Sequence, residues 1–336
     1  MAEKSDDVPQ NLLEGREDVD DAVDELAAAE QALASANARV LAARNKLRGA
    51  RQLNILIVGF GTFGQFIAKT FVELGHRVIG QSRGDYGKLA SDIGATYTRD
   101  IKEALSTKPD VVIFCTSVLS TAKVVENFPR DQLAGTLVVD VLSVKEYPKT
   151  LLLAKMPPGV DILCTHPMFG PQSGKNGWQG LPFVYDKVRI CSKRGPAVCQ
   201  EFLGIWEAAG CRMVEMSCEE HDSFAAASQF ITHTTGRMLA ELEPKSTPIN
   251  TKGYESLLTL AENTTSDSLD LYCGLFYYNA FSKVQLAKLE QGLQNVKELL
   301  RRFEEERIPE DGGPAVKWLS PSPRGQKSEG DAKNKI

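Results

Sequence analysis

Three glycines in the hexapeptide GFGTFG, at residues 59–64, place the strongest constraint on how this chain can fold. The hexapeptide directly follows the apolar run NILIV and precedes a stretch with helical spacing. In such a strand–turn–helix unit, the first glycine permits a tight turn, the second lets backbone approach a pyrophosphate, and the third lets helix and strand pack closely. The N–H groups at the helix start then face the phosphates. The motif predicts a dinucleotide site containing Gly59, Phe60, Gly61, Thr62, Phe63 and Gly64.

Short β-rich segments alternate with helix-like stretches from residue 53 to residue 216. We predict strands at 53–58, 77–80, 111–115, 136–141, 161–165, 188–192 and 212–216. This alternation favours an α/β fold with a Rossmann-type, doubly wound parallel sheet. Beyond residue 217 only helices are predicted, near 219–243, 251–268 and 270–307. We therefore expect a nucleotide-binding domain at 53–216, followed by an all-helical substrate and dimerisation domain at 217–307.

The two ends of the chain differ in composition from this central part. Within the acidic segment 1–52, the first 33 residues carry eleven Asp and Glu against one Lys and one Arg. Residues 19–47 predict an amphipathic helix with a coiled-coil-like stripe. A helix on the protein's own surface is the preferred interpretation, and a coiled-coil dimer is the alternative. Residues 308–336 are rich in Pro, Gly, Ser and Lys, which predicts a disordered tail.

Composition excludes several classes of function. No run in the 336 residues approaches the roughly 20 apolar residues of a membrane span. The net charge of −5 argues against a nucleic-acid partner, and the seven cysteines, which lack CxxC spacing, predict reduced thiols and no metal site. The acidic N-terminus resembles neither a secretory signal nor a transit peptide. We therefore expect the cytosol, or a plastid if a transit peptide has been removed.

The end of the second predicted strand indicates which dinucleotide binds. A carboxylate there holds the ribose hydroxyls of NAD, whereas an arginine accommodates the 2′-phosphate of NADP. Ser82 and Arg83 follow the strand, so we expect NADP as the cofactor. Asp85 also lies nearby, and its alternative role is to cap the next helix. Thr116 and Ser117, after a later strand, are predicted to lie beside the nicotinamide half of the cofactor.

One of the four histidines stands where a catalytic base is expected. His166 ends a predicted strand, and ligands of open α/β sheets bind at the carboxyl ends of the strands. A neutral imidazole there can accept a proton from a substrate hydroxyl while a hydride leaves for the nicotinamide. The sequence thus predicts a dehydrogenase with a small-molecule substrate. The alternative from another class is a non-catalytic module that senses NADP or tyrosine, which would not need this base.

Further candidates lie in the predicted helix that starts near residue 219. Steps of four, three and four residues put Asp222, Ala226, Gln229 and His233 on one face of a continuous α-helix. We expect that face to present Asp222, Gln229 and His233 to the cleft between the domains. For Asp222, the alternative is to complement the dipole of the first helical turn.

Together these motifs resemble the prephenate/arogenate dehydrogenase family. The resemblance rests on the glycine turn, DVLSVK at 140–145, THPMFGPQSG at 165–174 and residues 219–233, in matching order over residues 53–307. The glycine turn, SRGDY at 82–86 and residues 166–174 are most similar to the plant arogenate dehydrogenases. Such enzymes oxidatively decarboxylate a cyclohexadienol on the way to tyrosine. They commonly form homodimers through the helical domain.

The resemblance implies roles for individual residues. His166 would be the base, and Ser143 would hydrogen-bond the same substrate hydroxyl or the imidazole. Lys145 either lines the same cleft or is a solvated surface lysine. Asp222 would favour the ammonium of arogenate over the keto group of prephenate. NADP-dependent arogenate dehydrogenation is therefore the predicted reaction, and prephenate dehydrogenation to 4-hydroxyphenylpyruvate is the alternative.

The sequence departs from many bacterial relatives in one segment. Those relatives have an arginine, which grips a substrate carboxylate, in the segment that corresponds to residues 253–259, and this chain has none there. Side chains that could replace that contact are Gln172, Ser173, Lys175, Thr264, Thr265 and Ser266.

Overall fold

The computed structural model describes residues 51–306, together with six positions of the N-terminal segment (25, 28, 29, 32, 36 and 40) that are helical and exposed. The rest of the predicted stripe at 19–47 and the predicted tail at 308–336 lie outside the described residues. The chain separates into two compact units, Met1–Ala287 and Lys288–Ile336. Every described strand belongs to the first unit. No described helix has the length and apolarity that crossing a membrane requires.

Eight strands form a single sheet. They are β1 (Asn54–Val58), β2 (Arg77–Gln81), β3 (Thr96–Thr98), β4 (Val111–Phe114), β5 (Leu137–Asp140), β6 (Asp161–Pro167), β7 (Pro182–Arg189) and β8 (Arg212–Glu215). The order across the sheet is β3-β2-β1-β4-β5-β6-β7-β8. β1 to β6 run parallel, β7 runs antiparallel to β6, and β8 runs parallel to β7. The order 3-2-1-4-5-6 is that of a dinucleotide-binding sheet, which confirms the predicted α/β fold.

Two strands differ from the sequence prediction. The pattern does not predict β3, because its three residues are too few to show an alternation. β7 lies at Pro182–Arg189 and not at 188–192. The amides of Cys191 and Ser192 donate hydrogen bonds to the Asp161 carboxylate, so they are not available to continue the strand.

Helices cover the sheet and form the region after residue 217. They are α1 (Thr62–Glu73), α2 (Gly87–Ile93), α3 (Ile101–Ser106), α4 (Val118–Glu126), α5 (Glu146–Lys155), α6 (Gly195–Ala208), α7 (Cys218–Ala225), α8 (Ile231–Ala240), α9 (Lys252–Ser266), α10 (Leu269–Tyr277) and α11 (Ser282–Glu306). A π-helical segment, Ala226–Phe230, joins α7 to α8. The predicted helix at 270–307 is interrupted between α10 and α11. There, Asn279 accepts a hydrogen bond from the amide of Phe281 and donates one to the carbonyl of Asp222.

Alternate residues of the central strands supply two apolar cores, one on each face of the sheet. Ile57 packs in the same cluster as Trp206 of α6, whereas its neighbour Leu56 packs with Leu152 of α5. All four side chains are at most 1% exposed. Strands buried on both faces read as continuous apolar runs, which is why the parallel sheet is recognisable in the sequence. The strands are thereby fixed, and their carboxyl ends meet at one edge.

Candidate active site

A cavity of about 720 Å³ opens at the carboxyl ends of the parallel strands. The glycine turn, the ends of β4 to β6, the π-helical segment and the α9–α10 connection contribute to its wall. The predicted site residues that line the cavity are Gly61, Thr62, Phe63, Gly64, Thr116, Ser117, Ser143, His166, Ser173, Gln229, His233 and Ser266. The predicted dinucleotide turn and the predicted base therefore share one cavity.

The glycine turn has the shape that a pyrophosphate site requires. Gly59 has φ +102°, and a Cβ there would lie 2.3 Å from the carbonyl oxygen of Cys115. A Cβ on Gly64 would lie 2.4 Å from the carbonyl oxygen of Gly59, so the helix packs directly on the turn. Gly61, in contrast, has open space around its Cβ position, and no described side chain caps the start of α1. The helix N-terminus is thus open to an anion.

The remaining predicted cofactor residues lie outside the cavity wall. The side chain of Phe60 is fully buried, and its ring packs on Gly80, where a Cβ would come within 2.4 Å of it. Phe60 therefore supports the turn from within the core. Ser82 and Arg83 follow β2, and Arg83 is exposed. Asp85 accepts a 3.3 Å hydrogen bond from the first amide of α2, which is the alternative role considered for it.

His166 lies near the end of β6 and is only 4% exposed, although it contributes to the cavity wall. Its Nδ1 lies 2.8 Å from Nε2 of His221. Its own Nε2 has no hydrogen-bond partner among the described residues. Burial, with the fields of His221 and the Lys145 ammonium, holds the pKa of His166 well below its ordinary value of 6.5. The imidazole is therefore neutral at neutral pH, as a general base must be.

Sequence reasoning gave no role to His221, which the structure places directly behind His166. His221 is 2% exposed, and its Nδ1 lies 2.9 Å from Oδ1 of Asp222. Burial lowers the pKa of His221 while Asp222 opposes that shift. An imidazole next to a carboxylate is visible in the sequence, but the partner His166 is 55 residues away.

Asp222 is not among the residues of the cavity wall, whereas Gln229 and His233 are, so the three do not share one face as the helical spacing predicts. Asp222 is 1% exposed. Its carboxylate accepts hydrogen bonds from the amides of Lys145, at 2.7 Å, and Glu146, at 3.0 Å. These amides belong to the start of α5, and Asp222 therefore caps a helix other than its own.

The π-helical segment explains this difference. A continuous α-helix, which the periodicity argument assumes, would align positions 222, 226, 229 and 233. The π-helical segment closes its hydrogen bonds over five residues and not four, so it rotates the start of α8 relative to that expectation. Asp222 consequently points to the strand ends, whereas Gln229 and His233 contribute to the cavity wall.

Gln229 and His233 line the cavity, and each carries a buried polar atom without a partner in the part of the chain that the structure describes. Oε1 of Gln229 and Nδ1 of His233 are buried and have no hydrogen-bond partner within the described chain. Nε2 of His233 lies 3.8 Å from a carboxylate oxygen of Asp267, which also lines the cavity. Burial lowers the pKa of His233. Unpaired buried polar atoms are costly, and both belong to residues of the cavity wall.

Lys145 has neither of the two roles expected from the sequence. It is 1% exposed, and its Nζ donates to the Asp140 carboxylate and, at 2.6 Å, to the carbonyl of Thr165. This buried ion pair joins the end of β5 to the residue before His166. Lys145 thus supports the end of β6 next to His166, and it does not line the cavity.

Two of the six candidates for holding a substrate carboxylate, Ser173 and Ser266, line the cavity. Gln172 and Lys175 are exposed and lie outside the cavity wall. The hydroxyls of Thr264 and Thr265 donate to carbonyls of their own helix.

A dinucleotide-type glycine turn and the buried imidazole of His166 thus lie on the wall of one cavity, an arrangement that pyridine-nucleotide-dependent dehydrogenases use. Two Arabidopsis thaliana proteins match this chain: Arogenate dehydrogenase 1, chloroplastic, is 55% identical over 248 residues, and Arogenate dehydrogenase 2, chloroplastic, is 52% identical over 259 residues. The chain belongs to the arogenate/prephenate dehydrogenase family. The matches cover 73% and 76% of this chain, but 39% of the first relative and 72% of the second.

Family models and solved structures agree with the fold. Residues 54–144 match the family described as NADP oxidoreductase coenzyme F420-dependent, and residues 238–311 match the TYRAAT1-like, C-terminal domain. Prephenate dehydrogenase from A. aeolicus, solved with hydroxyphenyl propionate and NAD+, superposes with a TM-score of 0.61 at 21% identity, covering 76% of this chain and 93% of that one. Synechocystis arogenate dehydrogenase gives a TM-score of 0.53 at 16% identity, with coverages of 76% and 94%.

Proposed function

We propose that this protein oxidatively decarboxylates arogenate to tyrosine, with NADP as the hydride acceptor. The observation that carries the proposal is the position of His166, which lines the same cavity as the glycine turn at 61–64 and whose Nε2 has no hydrogen-bond partner among the described residues. The names of the two plant relatives, which are 52–55% identical to this chain, support the substrate. A prephenate dehydrogenase is the runner-up.

The residues present fit a dinucleotide. The open space at Gly61 and the uncapped start of α1 would hold its pyrophosphate. Thr116 and Ser117 would lie beside the nicotinamide, which supplies the hydride acceptor when the cofactor is bound. The exposed guanidinium of Arg83 and the hydroxyl of Ser82, at the end of β2, would bind a 2′-phosphate, and they favour NADP over NAD.

His166 would act as the general base. Its Nε2 accepts the proton of the ring hydroxyl while the C–H bond of the same ring carbon breaks and its electron pair leaves with the hydride. A carbonyl forms at that carbon. The ring carboxylate then departs as CO₂, and the electron pair of the broken C–C bond aromatises the ring to a phenolate, which recovers the proton from His166. Ser143, on the same wall, would hydrogen-bond the hydroxyl or the imidazole.

The charge of the cavity favours arogenate over prephenate. Asp267 lines the cavity, and no lysine or arginine of the described chain does so. An ammonium group is attracted to such a wall, whereas a dianion with a keto side chain is not. Because Asp222 lies outside the wall, this role passes in our proposal from Asp222 to Asp267, with Gln229 and His233 completing the contacts to the substrate side chain.

A spectrophotometric assay of NADPH or NADH formation tests the proposal with four substrate and cofactor pairs. We expect the highest kcat/KM with arogenate and NADP. Asp267→Asn should lower kcat/KM for arogenate about fivefold to tenfold, since the carboxylate is half exposed, and leave prephenate unaffected. A higher kcat/KM with prephenate than with arogenate would make prephenate the substrate. Nucleotide binding without turnover of either substrate would support the alternative of a non-catalytic sensing module.

Assembly and compartment are separate parts of the proposal. The exposed apolar side chains Leu269, Tyr277 and Val284 support a homodimer formed through the helical region. Both plant relatives are named as chloroplastic, which supports a plastid over the cytosol predicted from the acidic N-terminus. Light scattering of the purified protein tests the dimer, and a fluorescent fusion of the natural gene product tests the compartment.

A further inference from the structure

Three buried side chains form a hydrogen-bonded chain that ends at the cavity. Asp222 Oδ1 lies 2.9 Å from His221 Nδ1, and His221 Nε2 lies 2.8 Å from His166 Nδ1. Only His166 of the three lines the cavity. His221 is 2% exposed and Asp222 is 1% exposed, so water does not compete for these contacts.

The carboxylate at one end determines which atom donates at each step. Asp222 already accepts from the amides of Lys145 and Glu146, and an ionised carboxylate can only accept, so Nδ1 of His221 must carry the hydrogen. In a neutral imidazole the other nitrogen is then an acceptor. Nε2 of His221 consequently accepts from Nδ1 of His166, and Nε2 of His166 keeps its lone pair.

We propose that His221 is a positioning residue that holds His166 in the Nδ1–H tautomer and keeps its Nε2 unprotonated toward the substrate hydroxyl. This inference rests on the proposed function, in which Nε2 is the base. Without an acceptor at Nδ1, the neutral imidazole would also populate the Nε2–H tautomer, which cannot accept a proton from the substrate.

The contacts around Asp222 fix the direction in which hydrogen bonds are donated, from His166 through His221 to Asp222. The two amides at the start of α5 hold its carboxylate, and the side chain of Asn279 donates a 2.8 Å hydrogen bond to its carbonyl. When His166 has taken the substrate proton, its Nδ1–H still donates to His221. The positive charge then lies one imidazole away from the Asp222 carboxylate. The other cation near His221 and Asp222 is Lys145, and its ammonium group is already paired with the carboxylate of Asp140.

Two variants of similar size test the role of the acceptor. His221→Leu removes it, and His221→Gln keeps it because the amide oxygen can take the place of Nε2. We expect His221→Leu to lower kcat by about 10²-fold or more, with KM for arogenate and NADP changed less than about threefold, since His221 contacts neither. His221→Gln should recover kcat to within about tenfold of the unaltered protein. Equal losses in both variants, or an unchanged kcat in His221→Leu, would overturn the proposal.

Nitrogen-15 NMR of the full-length protein labelled at histidine gives a readout that does not depend on turnover. The chain contains four histidines, so their ring signals can be assigned by substitution. We expect His166 to be protonated at Nδ1 and not at Nε2 in the unaltered protein and in His221→Gln, and to show both tautomers in His221→Leu. An Nε2–H tautomer in the unaltered protein would disprove the inference.

The two experiments separate this inference from the proposed function. If the Nδ1–H tautomer is found but neither substrate is turned over, the proposed function fails and the positioning of His166 by His221 stands. If arogenate is turned over and His221→Leu retains full activity, the proposed function stands and the positioning role fails.

Discussion

The backbone amide of Lys145 donates a 2.7 Å hydrogen bond to the carboxylate of Asp222, 77 residues further along the chain. This contact, together with the one from Glu146, ties the first turn of α5 to α7. The helical region is thereby attached to the sheet at the strand ends, next to His166. Asp222, which the sequence indicates as a substrate ligand, thus lies behind His221 and His166 and caps α5.

Removing this carboxylate should destabilise the protein more than removing an exposed helix cap. Asp222→Ala leaves the buried amide of Lys145 and the half-buried amide of Glu146 without an acceptor, for which we expect a loss of about 2–4 kcal/mol in the free energy of unfolding. The matched control is Asp100→Ala, because Asp100 caps α3 through a 2.8 Å bond at the surface and should cost about 1 kcal/mol. Urea denaturation measures both values. Equal losses would contradict a special role for the Asp222 contact.

Replacement of His166 should abolish most turnover without loss of fold. We expect His166→Asn to lower kcat by about 10²–10⁴-fold, the usual contribution of a general base. The dissociation constant for NADP should stay within about threefold, because the glycine turn is unaltered. Steady-state kinetics and nucleotide titration by fluorescence give the two quantities. A variant with full turnover would remove His166 from the chemistry.

The pH dependence of kcat/KM should show an acidic limb below pH 6.5. In the proposed reaction His166 accepts a proton as neutral imidazole, which is the form present above its pKa, and burial holds the pKa of His166 well below 6.5. Activity should therefore persist as the pH falls through 6.5 and decline only at a lower pH. His233 also has a lowered pKa, so His233→Asn is the control that assigns the limb. A limb at or above pH 6.5 would contradict a buried base.

How much of the site can be predicted from the sequence depends on how far apart the contacting residues lie along the chain. The glycine turn is recognisable because Gly59, Gly61 and Gly64 perform their tasks within one strand–turn–helix unit. His166 is recognisable because a strand end in an α/β sheet is itself a ligand position. His221 is not, since its partner is brought to it only when α7 packs on the sheet.

The π-helical segment limits prediction in a different way. Periodicity assumes a constant number of residues per turn, and Ala226–Phe230 changes it between Asp222 and Gln229. No glycine or proline in that segment signals the change. The helical spacing therefore groups Asp222 with Gln229 and His233, whereas in the structure only the latter two line the cavity.

Acid should destabilise the protein partly through His76, away from the cavity. Burial lowers the pKa of His76 from 6.5 to about 4, and its Nδ1 accepts a hydrogen bond from the amide of Leu53, which protonation would break. Neutral His76 contributes fully to the free energy of unfolding above pH 6.5. This contribution is lost as the pH falls from 6.5 toward 4, by about 3 kcal/mol at most. His76→Asn keeps an acceptor but cannot titrate. We expect a smaller decrease of unfolding free energy between pH 7 and pH 5 in this variant, whereas parallel curves would show that His76 does not contribute.

The glycine turn allows folding and cofactor binding to be separated with two alanine substitutions. Gly59→Ala requires a positive φ and places a Cβ 2.3 Å from the Cys115 carbonyl, which is backbone of the neighbouring strand end and cannot move aside. We expect this variant to lose folded protein.

In Gly61→Ala the added Cβ meets no atom within 4 Å, so the unfolding temperature should be unchanged. The added methyl nevertheless faces the space that the pyrophosphate would fill, and the dissociation constant for NADP should rise about tenfold or more. Circular dichroism and nucleotide titration distinguish the two effects, and tight NADP binding by Gly61→Ala would show that the phosphates bind elsewhere.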